Sequence, residues 1–137
     1  MTDKRYERGL EKLQELAGAD GKRVIETVEE LSPDLARLVV EFGYGDIYMR
    51  PGLDIHQRQL IAIAALTALG GAEAQLDYHV RIGLDAGLKP EEIVETIVHC
   101  TPFVGFARVL NAARAVKRAF AARGISTGTS PAHPGSE

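Results

Sequence analysis

The chain has 137 residues, a formal net charge of -3 and one cysteine, Cys100. This length predicts one domain with a single core. The weak negative charge and scattered basic residues argue against a nucleic-acid-binding face, which concentrates positive charge. Cys100 has no partner for a disulfide within the chain, and no apolar run resembles a signal peptide or reaches bilayer length. We therefore expect a cytoplasmic protein that does not bind a membrane.

Apolar residues recur at helical spacing along most of the chain, without the alternation typical of strands. This pattern predicts an all-α bundle of about six to seven helices over residues 1–124 and a flexible tail over residues 125–137. The first helix is expected to end at Gly18, and a second short helix to run up to Ser32.

The next helix begins at Ser32, a good N-cap residue that precedes Pro33 at the first helical position. We predict that this helix ends at Gly43 or Gly45. A loop then extends to Leu53.

A capping box formed by Asp54 and Gln57 predicts the start of a central helix. Residues 60–69 are apolar on every side of this helix, so we expect it to be buried all round, either in the core or under another subunit. Gly70 and Gly71 mark its end.

Three further elements follow. A short helix ends at Gly87, and Pro90 starts another, which we expect Pro102 to interrupt. A last helix is predicted from Val104 to near Gly124.

His79 is the most informative residue of the short helix. At about 100° per residue, Glu73, Asp77 and Arg81 form one charged stripe, and His79 points to the opposite, apolar side. An imidazole that faces the interior is either a hydrogen-bonded core residue or a proton-transfer group.

Three segments in a fixed order add a family pattern: DIHQRQLIAIAALTALGG, QLDYHVRIGLDAGLKPEEIVETIVH and FVGFARVLNAARAVKRAF. Together they resemble the carboxymuconolactone decarboxylase family of the alkylhydroperoxidase-D-like superfamily, from Leu53 to Arg118. The resemblance implies an all-α subunit that forms a homo-oligomer, a trimer or a hexamer, with its sites near subunit contacts.

The redox branch of this superfamily carries Cys-x-x-Cys-x-x-x-His on its active helix. Counting back from His79, the two cysteine positions hold Ala72 and Gln75, so no thiolate pair is present for peroxide or disulfide reduction. Cys100 lies elsewhere among apolar neighbours, which favours an ordinary buried thiol.

The branch that keeps the histidine and lacks the cysteines implies a carboxy-lyase of the 4-carboxymuconolactone decarboxylase type, as used in aromatic catabolism. Loss of CO2 from a small carboxylated lactone leaves an electron pair that spreads onto the carbonyl oxygen. The site must stabilise that oxygen and then protonate carbon. No cofactor is expected, because the conjugated carbonyl of the substrate is the electron sink.

The resemblance assigns roles to three polar residues. His79 is the candidate general acid or donor to the enolate oxygen, Arg58 the clamp for a substrate carboxylate, and Gln75 a residue that orients the imidazole or binds the lactone. Structural alternatives remain: an ion pair of Arg58 with Glu41 or Asp54, and a simple helix contact for Gln75.

His99 is a second catalytic candidate. It follows Glu95 by four residues, so a surface ion pair on one helix face is the alternative. His56, His79 and His99 fall on three predicted helices without closely spaced ligand pairs, so we expect no metal site.

Residues 103–107 read Phe-Val-Gly-Phe-Ala where the family usually has Tyr-x-Gly-x-Pro. The expected substrate pocket is therefore more apolar, with Phe103 and Phe106 in its wall and Arg108 as a carboxylate anchor or a solvated charge. This departure keeps two further hypotheses open: a non-redox family member that binds or transforms another small hydrophobic molecule in a biosynthetic pathway, and a scaffold without turnover.

Overall fold

A computed structural model describes residues 3–126, and within this range it is all-α without a strand, which confirms the predicted fold class. The elements in chain order are α1 (Lys4–Leu31), α2 (Pro33–Leu38), a π-helical segment (Val39–Ile47), α3 (Ile55–Leu69), α4 (Glu73–Asp85), α5 (Pro90–Val104) and α6 (Phe106–Ala122).

Local sequence signals set several of these boundaries. The Ser32 side chain accepts a hydrogen bond from the Leu35 backbone amide at 3.1 Å and so caps α2. The predicted capping box of α3 is confirmed: the Asp54 carboxylate accepts from the Gln57 amide at 2.8 Å, and the Gln57 side chain accepts from the Asp54 amide at 3.0 Å. These contacts satisfy amides that a helix start leaves unpaired.

Gly18 divides α1 into two halves, as predicted. Its φ of 48° lies in the left-handed region, which glycine adopts without steric penalty. Behind this bend, a Cβ at Gly21 would lie only 2.7 Å from the Leu13 side chain. The two halves therefore pack closely where the chain changes direction.

The predicted helix end at Gly43 or Gly45 is wrong, because the backbone continues as a π-helix to Ile47. Here glycine allows close packing instead of ending a helix. A Cβ at Gly45 would lie 3.0 Å from the Arg5 carbonyl oxygen, and one at Gly9 would lie 2.2 Å from the Val40 carbonyl oxygen. The π-helical segment thus approaches α1 backbone to backbone.

The predicted interruption at Pro102 is also wrong, since Pro102 lies inside α5. Proline removes the amide that would bond to the carbonyl of Val98, four residues earlier. Val98 is exposed, so the missing hydrogen bond falls on the outer side of the helix. The helix ends at Gly105, with a φ of 84°, and α6 starts at Phe106 rather than at Val104.

Two hydrophobic clusters meet at α4. Leu76 and Val80 belong to the larger cluster, which α3, α5 and α6 complete. Tyr78 and Ile82 belong to the second, which α1, α2 and the π-helical segment complete. His79 therefore lies on the helix that both clusters share.

The central helix α3 is not buried all round within one chain. Ile63 is fully buried, but Ile61 is 54% exposed and Leu69 is 67% exposed. The expectation of burial in the core is wrong for this outer face. Burial under another subunit stays a prediction.

Residues 127–137 of the predicted tail lie outside the described residues. Before them, the amide of Ile125 donates to the Phe120 carbonyl at 2.9 Å, and its side chain packs against the larger cluster. Among residues 3–126, no helix has both the length and the apolar character needed to cross a membrane.

Candidate functional site

The His79 ring is partly buried and is held at one nitrogen. Its Nδ1 lies 3.1 Å from Oε1 of Gln59, and its ring meets that of Tyr78 edge to face at 5.1 Å. An amide oxygen only accepts hydrogen bonds, so Nδ1 carries the proton and donates it. In the neutral ring, Nε2 is then left with a free lone pair.

Burial lowers the pKa of His79 to about 4. Removing an imidazole from water disfavours its charged form, and here no neighbouring charge acts against this effect. At neutral pH the ring is therefore uncharged in the free protein. It can accept a proton at Nε2.

Gln59, which the sequence analysis passed over, is the residue that holds His79. Its side chain is only 1% exposed and projects from the first turns of α3. A buried amide needs hydrogen-bond partners, and the imidazole supplies one. One sequence signal could have indicated Gln59: it is an uncharged polar residue that directly precedes the long apolar run of α3.

Three tyrosines complete what we call the His79 cluster: Tyr44, Tyr48 and Tyr78 together with Gln59 and His79. The hydroxyls of Tyr44 and Tyr78 share a buried hydrogen bond of 3.0 Å, and the rings of Tyr44 and Tyr48 stack at 5.3 Å. Burial raises the pKa of Tyr48 to about 12 and also raises those of Tyr44 and Tyr78. All three phenols are therefore protonated hydrogen-bond donors at neutral pH.

Arg58 is partly buried and binds backbone carbonyls. Its Nη2 donates to the Arg50 carbonyl at 2.7 Å, and its Nε donates to the Leu53 carbonyl at 3.2 Å. The ion pairs considered with Glu41 and Asp54 are absent, because Glu41 is held by two other arginines. Arg58 thus fixes the loop that leads into α3.

Gln75, Phe106 and Arg108 lie outside the His79 cluster. Gln75 is exposed, and Gln59 takes the place at the imidazole that was considered for it. Phe106 is exposed at the start of α6, and the Arg108 side chain lies over Gly70. Their roles in substrate binding stay predictions.

His99 and Phe103 lie in a separate groove between α3 and α5. This α3–α5 groove has a volume of about 530 Å³. His99 is exposed and meets Phe103 edge to face at 5.6 Å; it forms no ion pair with Glu95, so that expected alternative is wrong. The lining residues are Leu60, Ala64, Glu92, Glu95, Thr96, His99, Cys100 and Phe103.

Cys100 is a partly buried thiol in this groove. Its Sγ lies 4.0 Å from the Ala64 carbonyl oxygen, and burial raises its pKa. The thiolate that redox chemistry requires is therefore disfavoured. Within residues 3–126, no three His, Cys, Asp or Glu side chains are arranged to hold a metal ion.

Comparison with known proteins identifies the family. A sequence profile of the carboxymuconolactone decarboxylase family matches residues 33–118. The chain belongs to this family. The match confirms the resemblance and begins at α2, earlier than the expected Leu53, so it includes the whole His79 cluster. All of α1 precedes the matched residues.

Three relatives extend this finding. This chain is 35% identical to a 4-carboxymuconolactone decarboxylase of Acinetobacter baylyi over 75% of this chain and 77% of the relative. It is 33% identical to an uncharacterized 15.0 kDa protein of Paracoccus denitrificans over 88% of this chain and 96% of the relative. A nitrosuccinic acid decarboxylase of Metarhizium robertsii is 31% identical over 50% of this chain and 47% of the relative.

Proposed function

We propose that this family member is a carboxy-lyase that removes CO2 from a small carboxylated lactone without a cofactor. The observation that carries the proposal is the His79 ring, neutral and fixed through Nδ1 by the buried Gln59. Two relatives named as decarboxylases support the reaction class. The absence of a cysteine pair beside His79 argues against the redox chemistry of the superfamily.

The reaction needs one electron sink and one proton. The bond between the carboxylate carbon and the lactone ring breaks, CO2 leaves, and the electron pair spreads onto the conjugated carbonyl oxygen. A proton then adds to carbon and restores the neutral product. Protonated phenols and a charged imidazole are groups that can stabilise the transient negative oxygen.

Substrate binding raises the pKa of His79 and so allows the ring to become protonated. In the free protein its pKa is about 4, so Nε2 is unprotonated at neutral pH. A substrate carboxylate placed beside the ring favours the imidazolium and raises this pKa. Nε2 can then take up a proton from solvent and deliver it to carbon after CO2 leaves.

Arg58 is proposed as the clamp for the substrate carboxylate. Two of its five N–H bonds point to the carbonyls of Arg50 and Leu53, which fixes the guanidinium in place. The remaining donors are free to form charge-assisted hydrogen bonds with an anion. The same arrangement holds the loop before α3, so the clamp is also structural.

The test is CO2 release from 4-carboxymuconolactone by the wild-type protein and by His79→Gln. We expect turnover by the wild type and its loss in His79→Gln. The control is His56→Gln, which should retain turnover, because the His56 ring binds the Ala86 carbonyl. Release by His79→Gln at the wild-type rate would contradict the assignment. No turnover and no binding of any small acid by the wild type would favour the scaffold hypothesis.

The α3–α5 groove favours a second candidate function. Its lining combines apolar side chains, those of Leu60, Ala64 and Phe103, with the exposed carboxylates of Glu92 and Glu95. Carboxylates repel an acidic substrate, so this groove suits a neutral or cationic hydrophobic molecule. A family member that binds or transforms such a molecule would use it.

Benzylamine and benzoate distinguish the two sites by NMR. If the second candidate holds, benzylamine shifts the signals of His99 and Cys100, and Phe103→Ala weakens this binding. If the groove is idle, neither probe shifts these signals. Benzoate is expected to perturb His79 under the first proposal, since it carries the carboxylate of the expected substrate.

We also propose that the protein forms a homo-oligomer, a trimer or a hexamer. The support is the exposed apolar face of α3, where Ile61 and Leu69 are more than half exposed. Contiguous apolar surface of this kind marks protein contacts. Light scattering should give a mass of three or six chains, and Ile61→Lys should lower it; a monomeric wild type would contradict the proposal.

A further inference from the structure

The two halves of α1 enclose a groove that the proposed reaction does not use. This α1 groove, of about 710 Å³, opens between the turns before and after Gly18. Leu10, Leu13 and Ile25 form its apolar floor, and Leu10 is 37% exposed at the opening. Leu13 and Ile25 are already buried in the second cluster, so covering the groove gains free energy mainly at the exposed surface of Leu10.

Acidic side chains border this floor. Glu11 and Glu15 stand on the first half of α1, and Glu26 and Glu29 on the second. Glu15 is paired with a lysine at 3.5 Å, and Glu26 is paired at 3.8 Å with Lys22, a cation that also lines the groove. Glu11 and Glu29 have no ion-pair partner among residues 3–126. The groove therefore suits a partner that combines an apolar residue with positive charge.

The outer face of α6 has this combination. Leu110, Arg114, Lys117 and Arg118 fall within an arc of about 100° around the helix axis. All four are exposed, Leu110 by 59%. None of the three cations is in an ion pair with another described residue. We call these four residues the α6 stripe.

We propose that the α6 stripe of one copy docks in the α1 groove of a second copy. Leu110 lies against Leu10, Leu13 and Ile25, as in other complexes where a helix lies in an apolar groove. Arg114 and the neighbouring cations face the acidic rim. The inference rests on the proposed homo-oligomer and names one of its contacts.

The contact joins two different surfaces, so it leaves one groove and one stripe free after each association. Such head-to-tail contacts close into rings when the rotation between copies allows it. A trimer satisfies every groove and every stripe in this way. The groove lies on α1, before residue 33, so it falls outside the part of the chain that the family profile matches.

Charge reversal on each surface tests the contact. One variant carries Glu11→Lys and Glu29→Lys, a second carries Arg114→Glu and Lys117→Glu, and a third carries all four changes. Since these side chains are exposed and unpaired, the fold should be retained. The control carries Glu7→Lys and Glu91→Lys, which add the same positive charge outside the groove.

Sedimentation equilibrium at low and high salt gives the association constant of each protein. We expect each two-site reversal to weaken association about tenfold or more at low salt, and the four-site variant to recover wild-type association within about threefold. The control should associate like the wild type. High salt should weaken wild-type association through screening.

Three results would overturn the inference: reversals without effect, loss on only one surface, or no recovery in the four-site variant. If the wild type is an oligomer that resists both reversals, this contact is wrong and the proposed assembly stands. A monomeric wild type would contradict both this contact and the proposed homo-oligomer.

Discussion

The two histidines of the candidate sites lie on neighbouring helices and differ in what surrounds them. His79 on α4 is partly buried, bound at Nδ1 by Gln59, and has a pKa of about 4. His99 on α5 is exposed, and its ring meets that of Phe103 edge to face at 5.6 Å. The His79 ring therefore has a fixed tautomer and a lowered pKa, whereas the His99 ring has no buried amide beside it in the described part of the chain.

This difference separates the imidazole that we propose for proton transfer from one at the surface. Both residues follow a plausible helical spacing, and both match the residue type that acid–base chemistry uses. Only His79 has a buried amide that selects which nitrogen carries the proton. The comparison predicts that changes at His79 and its partner affect chemistry, and that changes in the α3–α5 groove do not.

The largest expected effect is on turnover. His79→Gln removes the proton-transfer group and should lower kcat for a carboxylated lactone by about 10²- to 10⁴-fold. His99→Gln should change kcat by less than about threefold. Steady-state kinetics measures both, and thermal unfolding shows that each variant is folded. Equal losses in the two variants would remove the distinction between the rings.

Acid stability gives the next largest effect. His79 has a native pKa of about 4, below the ordinary histidine pKa of 6.5, so between these pH values the unfolded chain binds a proton that the native chain does not. The free energy of unfolding should therefore fall as the pH drops from about 6.5 to 4, by roughly 3 kcal/mol, and the His79 contribution is unaffected above this window.

Urea unfolding across this pH range measures that loss. His79→Gln should lack this part of the pH dependence, whereas His99→Gln should keep it. The same slope in wild type and His79→Gln would mean that the imidazole is not neutral in the native state.

Changes at Gln59 test whether the hydrogen bond that fixes the His79 tautomer matters for turnover. Gln59→Leu fills the same buried space and removes the acceptor for Nδ1–H. We therefore expect kcat to fall about tenfold with a small change in KM. Gln59→Glu places a carboxylate beside the ring and should raise the His79 pKa from about 4. The pH profile of kcat should shift to higher pH in Gln59→Glu and not in the control Gln57→Glu.

The smallest effect is expected at Cys100. Its thiol is in the α3–α5 groove, and burial raises its pKa, so Cys100→Ser should leave lactone turnover within about twofold. Loss of turnover in this variant, with the fold retained, would show that the Cys100 thiol takes part in the reaction.

Local signals predicted much of the fold. Ser32 and Asp54 cap their helices because each supplies a side-chain acceptor to nearby amides, and this depends only on neighbours in sequence. Gly45 was misread because its function is a close approach to Arg5, which lies far away along the chain. Pro102 was misread because its lost hydrogen bond falls at an exposed position.

The candidate site was predictable in one part. The helical angle placed His79 on the inner face of α4, and the structure agrees. Its partner Gln59 lies 20 residues away, and Tyr44 lies 34 residues from Tyr78, so these contacts depend on how α3, α4 and the π-helical segment pack. No spacing rule within one helix could supply them.

The most direct test of this account is an NMR titration of the His79 imidazole in the free protein, with ¹⁵N signals that report the tautomer. We predict a pKa of about 4 and a proton on Nδ1 at neutral pH. A pKa near 6.5, or a neutral ring protonated at Nε2, would contradict the central claim that burial keeps His79 neutral and that Gln59 fixes its proton on Nδ1.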